Sequence, residues 1–391
     1  MQYDFDKYIE RRGSRSMKWD TCDERFGGAG LNPLWVADMD FRSPPEVLKA
    51  LGDKLSHGIL GYPTVPDSLF NSIINWEKTR HGFYVDKEWI SWSPGVVAGL
   101  AFSLMAYTKP GDGVIIQTPV YPPFQEIIET SGRRLVKNPL RREEGRYTFD
   151  LRQLEKIVTP TCRVLILCSP HNPVMRVWTR EELSALAELA KRRDMIILAD
   201  EIHQDIVYSD AKHICFASLS EDAANRSVTF IAPSKTFNLA GLASSAAIIP
   251  NERLRKQYES VLQRLHLFRL NMMGLIATEA AYATGAKWCD EMTAYLEGNR
   301  SLVERFIKER MPKVKMDHPE GTYIFWLDFR GYGLCGDALQ KFLVSEAKVA
   351  MNDGRSFGCE GDGFARLNIG TTRAQLREGL ESIANALESR G

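Results

Sequence analysis

Five short apolar runs, at residues 114–118, 164–168, 195–199, 228–232 and 244–249, constrain this chain most. Runs this short, apolar at nearly every position, fit strands buried on both faces of a parallel sheet. Between the second and third lies Thr179-Arg180-Glu181-Glu182, which reads as a capping box. It opens a helix carrying Leu183, Leu186, Ala187 and Ala190 on one face. Strand, helix, strand in repetition is the rhythm of an α/β domain. Beyond residue 285 that rhythm stops. A helix is expected over 288–310, a strand over 322–329, a helix over 336–347 and a strand over 364–369. A second capping box, Thr372-Arg373-Ala374-Gln375, then opens a helix with Leu376, Leu380, Ile383 and Leu387 on one face. The expected fold is therefore α/β: a large domain over 46–284, with a mostly parallel central sheet flanked by helices. A smaller α+β domain is expected from 1–45 together with 285–391, because the first forty-odd residues have no place in the central sheet.

Bulk properties exclude several classes of function. The 391 residues are enough for more than one domain, and fifty basic side chains balance fifty acidic ones. A neutral chain lacks the basic excess that a nucleic acid or an anionic membrane demands. The seven cysteines are scattered, with no Cys-x-x-Cys pair. They read as reduced thiols rather than as a disulfide framework or a zinc site, so no metal is expected. The charged start, Met1-Gln2-Tyr3-Asp4-Phe5-Asp6-Lys7, has no signal-peptide core, and the apolar stretch 96–107 is too short to span a bilayer. A cytoplasmic protein is expected.

Three of the strand-like runs end in residues that carry chemistry: Ser169-Pro170-His171-Asn172-Pro173, Asp200-Glu201-Ile202-His203 and Ser234-Lys235-Thr236. Open α/β sheets bind ligands at that edge. A lysine placed there is a candidate imine former, since burial lowers its pKa and frees the amine. Pyridoxal 5'-phosphate needs such an amine, a carboxylate for its ring nitrogen, a donor to its phenolic oxygen and an anion site. Lys235, Asp200 and Asn172 supply the first three. For the phosphate, Ser91-Trp92-Ser93-Pro94-Gly95-Val96-Val97 turns from a strand into a helix N-terminus, where the free N–H groups at Val96 and Val97 favour an anion. Ser234 adds a hydroxyl, and Tyr121 follows another strand end and can stack on the ring. Each piece alone has an ordinary reading: a cap, a surface lysine, a core aromatic, a core hydrogen bond for His203. Their joint appearance at successive strand ends favours one site.

These motifs, with the segment 34–41, Gly61-Tyr62, the segment 234–242 and Ala365-Arg366-Leu367-Asn368-Ile369-Gly370, resemble fold-type-I pyridoxal-phosphate enzymes of the aminotransferase class I/II superfamily. The resemblance covers nearly the whole chain and is closest to the MalY/PatB-type cystathionine β-lyases, or C–S lyases. It implies that Lys235 carries the imine and acts catalytically with Tyr121. It places His203 among the cofactor contacts and Ala37 and Arg366 among the substrate contacts, Arg366 gripping the α-carboxylate. It implies that Tyr62 reaches the phosphate of a neighbouring subunit, in a homodimer with shared sites acting on a small amino-acid substrate. The implied reaction is α,β-elimination from L-cysteine S-conjugates, giving pyruvate, ammonia and a thiol or sulfenate. An aminotransferase would use the same residues, and a non-catalytic cofactor-binding regulator is the remaining alternative. Two positions depart from superfamily patterns. Met175 replaces a customary glycine, which is expected to bring a thioether near the entrance. Ala243 stands where many aminotransferases carry a phosphate-gripping arginine, a departure shared with the C–S lyase branch.

Overall fold

The computed structural model describes residues 2–267 and 271–390. Its centre is a seven-stranded sheet built from β1 (Ile90–Ser93), β2 (Gly113–Ile116), β3 (Arg134–Lys137), β4 (Val164–Cys168), β5 (Ile196–Asp200), β6 (Ser227–Ile231) and β7 (Ser245–Ile248). Their order is β1-β7-β6-β5-β4-β2-β3. All neighbours pair in parallel except around β7, which runs antiparallel to both β1 and β6. The five apolar runs in the sequence correspond to β2, β4, β5, β6 and β7. The edge strand β3, Arg-Leu-Val-Lys, is half-exposed and has no such run, so nothing in its pattern announced it.

Alternation along each strand divides the core between the two faces of the sheet. Val164 and Ile166 pack on one side with Val114, Ile116, Leu198 and Phe230, beneath the helices Val96–Tyr107 and Glu252–Arg264. Leu165 and Leu167 pack on the other with Ile115, Ile197 and Ile231. The helix Val96–Tyr107 lies very close to the sheet at Gly99, where a Cβ would stand 2.5 Å from the Phe230 ring. Only glycine permits that approach.

The capping box at Thr179 forms in full: its hydroxyl accepts from Glu182 N at 3.2 Å, and Glu182 accepts from Thr179 N at 2.9 Å. The box expected at Thr372 forms only by half. Thr372 Oγ1 accepts from Gln375 N, but the Gln375 amide oxygen takes the Thr371 hydroxyl at 2.8 Å instead of reaching back to the N-cap.

After Gly285 come the helix Ala286–Arg310, a three-stranded antiparallel sheet and the helix Arg373–Glu388. In that sheet Phe364–Asn368 lies between Ile324–Asp328 and Asn352–Asp353. The start of the chain packs here. Asn32–Pro33 pairs in parallel with Val349–Ala350, Glu291 accepts from the backbone N–H of Gln2 and Tyr3, and Tyr295 donates to Asp6. No helix among the described residues is long and apolar enough to cross a membrane.

Candidate active site

Strand register brings the three motifs to one edge. Cys168 pairs with Asp200, and Asp200 with Phe230, so the residues following β4, β5 and β6 emerge side by side. Ser169 N donates to Asp200 O, and Glu201 N to Phe230 O, both at 3.0 Å, which carries the register past the strand ends. Because β7 runs the other way, its start adds Ala243 and Ser244 to the same edge.

A cavity of about 180 Å³ opens there. Its wall contains Lys235, Asp200, Asn172, His203, Ser234 and Tyr121. Val96 and Val97 close one end, and Ala37 from the N-terminal segment closes another. Arg366 stands behind Asn172, donating from Nη1 to its Oδ1 at 3.2 Å. That bond orients the amide and leaves its NH₂ donor for the cavity. Of the expected residues, Arg366 stands behind the wall rather than in it, and Tyr62 lies elsewhere. It is 86% exposed, in the extended stretch before the helix Asp67–Trp76, and does not line this cavity.

The charges of the site are buried and under-compensated. Burial pushes the Asp200 carboxyl up to about 7, against a hydrogen bond from Ile202 N and the nearby Lys235. Burial and the Arg366 charge bring Lys235 down to about 8. Burial lowers Arg366 to about 10, and only Tyr121 and Tyr323 oppose that shift. His203 lies well below its ordinary value for the same reason, reinforced by Lys235 and Arg366, and is therefore neutral. Its Nδ1, like Arg366 Nε, is buried with no hydrogen-bond partner among the described residues. Desolvated groups with perturbed pKa values converging on a cavity mark a functional site. A wider surface depression of about 550 Å³, beside Ala106 and Gln257, gathers solvent-facing charges such as Glu252 and Lys256 and has no such convergence.

Such a cavity suits a phosphorylated aromatic aldehyde. Asp200 is a buried carboxyl short of a cationic partner. Gly95, with φ +109°, turns the chain into the helix Val96–Tyr107, which has no side-chain cap on its first N–H groups. Lys235 Nζ donates to Ala37 O at 2.7 Å, which holds the amine at the wall.

Several residues of the site were assigned no role from the sequence. Tyr323 donates to the same Ala37 carbonyl at 2.8 Å. Asn238 pins the loop that carries Ala37, accepting from Met39 N and donating to Met39 O and Phe41 O. Asn352 accepts from Arg366 Nη2 at 2.8 Å, and Trp35 O accepts from the same nitrogen. Cys168 lines the cavity as a neutral thiol, its pKa raised by burial.

Met175 is a correction. It is fully buried, absent from the cavity wall, and its sulfur accepts from Trp326 N at 3.3 Å. The backbone keeps the left-handed conformation suited to glycine, φ +63°, and this turns the side chain into the core instead of toward the entrance. Ala243, also at positive φ, does line the cavity. Among the described residues no group of three or more His, Cys, Asp or Glu is arranged to hold a metal ion, and the seven cysteines are free.

The pattern of this site and fold has known counterparts. The model of the family aminotransferase class I and II matches residues 33–383. Cystathionine beta-lyase PatB of Bacillus subtilis is 45% identical over 384 residues, covering 98% of this chain and 99% of that protein. The crystal structure of cystalysin from Treponema denticola, which contains a pyridoxal 5'-phosphate cofactor, superposes with a TM-score of 0.97 at 34% identity over the full length of both chains. A PLP-bound putative aminotransferase from Clostridium difficile 630 gives a TM-score of 0.97 at 40% identity, over 99% of this chain and 100% of that one. The chain belongs to the aminotransferase class I and II family of fold-type-I enzymes, in its MalY/PatB-type C–S lyase branch.

Proposed function

We propose that this protein is a pyridoxal-phosphate-dependent carbon–sulfur β-lyase that eliminates a thiol or sulfenate from L-cysteine S-conjugates. The observation that carries this reading is a lowered lysine and a raised aspartate in the wall of one small cavity, with an arginine that has no carboxylate partner directly behind that wall at Asn172. When bound, the cofactor supplies an imine link to amines and a sink for the electrons left at the substrate Cα.

In this reading the chain's own groups prepare and time the proton transfers. Asp200 would hold a proton on the cofactor's ring nitrogen, and its buried carboxyl would gain there the cationic partner it lacks. Asn172 would donate its NH₂ to the phenolic oxygen, and His203 would complete that wall. The helix N-terminus at Val96 and Val97, with Ser234, receives the phosphate. Arg366 takes the substrate carboxylate on its planar fork, fixed by Asn172, Trp35 O and Asn352. That grip, with Tyr121 in the cavity wall, sets the Cα–H bond for abstraction. Lys235, brought down to about 8, is neutral often enough near pH 7–8 to take the Cα proton. The C–S bond then breaks with the thiolate leaving, and hydrolysis of the remaining three-carbon fragment gives pyruvate and ammonia.

Tyr62 enters the reading from a second copy of the chain. Its exposure, and its absence from the cavity it is expected to serve, support a homodimer with shared sites. The division into a large part over 46–284 and a small part from 1–45 with 285–391 belongs to the same reading.

Pyruvate release from cystathionine and other cysteine S-conjugates tests the assignment. Lys235→Ala should lower turnover by at least about 1,000-fold, since it removes both the imine and the base. Turnover like that of the wild type would sink the assignment. An aminotransferase is the second reading, favoured by the 40% identity to the Clostridium difficile protein. Strict dependence of product on an added keto acid would establish it in place of the lyase.

A further inference from the structure

The segments that deliver Lys235, Asp200 and His203 to the cavity are two-faced. Their neighbours Thr236, Glu201, Gln204 and Asp205 turn away from it into a buried polar layer behind. At the centre of that layer is Asp205, whose side chain is 1% exposed. Its Oδ2 accepts from Thr236 Oγ1 at 2.8 Å, and its Oδ1 accepts from Trp76 Nε1 at 3.0 Å and His81 Nε2 at 2.9 Å. Arg80 Nε stands 3.8 Å away. His81 arrives on a π-helical turn, Glu77–His81, at the end of the helix Asp67–Trp76. Such turns occur frequently at functional sites. The same turn presents Glu77, which accepts from Gln204 Nε2 at 2.7 Å.

The lysine needs this support. It sits on Pro233–Thr236, a single helical turn whose N-cap, Ala232, makes no side-chain bond. One turn fixes many dihedrals for few hydrogen bonds, so it has no stability of its own. Outside anchors decide where it rests. On the cavity side the anchor is Lys235 Nζ to Ala37 O, and that bond must be given up when the amine reacts. On the far side the anchor is Thr236 to Asp205, which takes no part in the chemistry and stays in place.

We infer that Asp205 is a positioning residue for Lys235, acting through the Thr236 hydroxyl and held in turn by Trp76 and His81. It fixes the height and direction of the lysine stem while the amine alternates between bonded and free. Burial opposes the ionised form of Asp205, but His81, Thr236 and Arg80 together keep the carboxyl below its usual range, so it is an anionic anchor at neutral pH. This inference rests on the reading of Lys235 as imine former and base.

Three substitutions in the cofactor-loaded protein test it: Thr236→Val, which keeps the shape and removes the hydroxyl, Thr236→Ser, which keeps the hydroxyl, and Asp205→Asn. Two quantities are read: the pH midpoint of the visible-edge imine absorbance, and kcat against KM for pyruvate release. Thr236→Val should shift the midpoint and lower kcat about 10- to 100-fold, with KM nearly unchanged, as expected for a displaced reacting group. Asp205→Asn should do the same, and Thr236→Ser should restore both quantities. Wild-type midpoint and kcat in Thr236→Val, or a loss confined to thermal stability, overturns the inference. If Thr236→Val does not fold, the contrast between Asp205→Asn and Thr236→Ser decides, and equal values in the two overturn it. A wild-type protein in which borohydride fixes no cofactor on Lys235 refutes the underlying reading instead.

Discussion

Two buried charge clusters meet the N-terminal loop a few residues apart, one at Trp35 and Ala37, the other at Asp40, and behave oppositely. At the cavity, Asp200 and Arg366 are 5% and 4% exposed, and both are driven toward their neutral forms. At the other cluster, Lys18 and Asp40 are 0% and 5% exposed, yet the charges are matched. Lys18 Nζ donates to Asp40 Oδ2 at 2.6 Å, and Asp40 Oδ1 accepts from Arg11 at 2.7 Å and from Trp19 Nε1 at 2.9 Å. Burial opposes the Asp40 charge, but these partners outweigh it and hold the carboxyl below its usual range. Arg11 is correspondingly raised, burial being overcome by Asp38 and Asp40. Equal burial with opposite outcome shows that burial alone does not identify a site. The difference lies in whether the protein itself supplies the counter-charges. Where it does, the cluster serves structure: the clamp holds the loop that presents Ala37. Where it does not, the cluster is prepared for a ligand.

Breaking the clamp should give the largest effect on stability. Asp40→Ala leaves the buried Lys18 with only the Asp38 carboxylate at 3.9 Å and should cost about 3–5 kcal/mol, measured by urea unfolding. The converse change at the cavity should help the unliganded protein. Asp200→Asn removes a buried carboxyl whose charge is unsupported. It should stabilise the apoprotein at pH 8 by up to about 4 kcal/mol while abolishing turnover. The two clusters also oppose each other in pH dependence. Asp200 binds its proton more tightly in the folded state. Its contribution to stability is therefore present below about pH 4 and is lost as pH rises toward about 7. Asp40 contributes above its unfolded pKa and loses that contribution as pH falls through the lower folded value. Unfolding of apoprotein at pH 8, at pH 5 and at about pH 3, with and without each substitution, reads both signs: Asp200 between the first two, Asp40 between the last two. Arg366→Lys sharpens the contrast at smaller amplitude. A point charge replaces the fork, and kcat/KM should fall about 10- to 100-fold, mainly through KM. Met175→Gly should do least. A side chain that faces the core should leave kcat and KM within about twofold, at a cost of about 1–3 kcal/mol in thermal unfolding.

How much was legible follows from which forces are local. Apolar runs announced β2, β4, β5, β6 and β7, because a strand buried on both faces must be apolar at every position. Lys235, Asp200 and Asn172 were visible for the same reason, as polar residues ending such runs. The edge strand β3 was not visible, since one side of it meets water. Nor was the clamp, or the layer around Asp205. A carboxylate looks the same in sequence whether it faces solvent or two buried cations, and its partners lie up to 129 residues away. Met175 was misplaced because substitution for glycine says nothing about which way a left-handed turn sends the new side chain. Asn352 belongs to the small sheet and Tyr323 immediately precedes its strand Ile324–Asp328, and the position of that sheet beside the cavity is a matter of tertiary packing alone.

The hydrogen bonds of Arg366 to Asn172 and to Trp35 O join the beginning, middle and last strand of the chain. Translation delivers those parts in turn, so the loop at Trp35 and the amide of Asn172 wait for the last strand to bring the guanidinium that joins them.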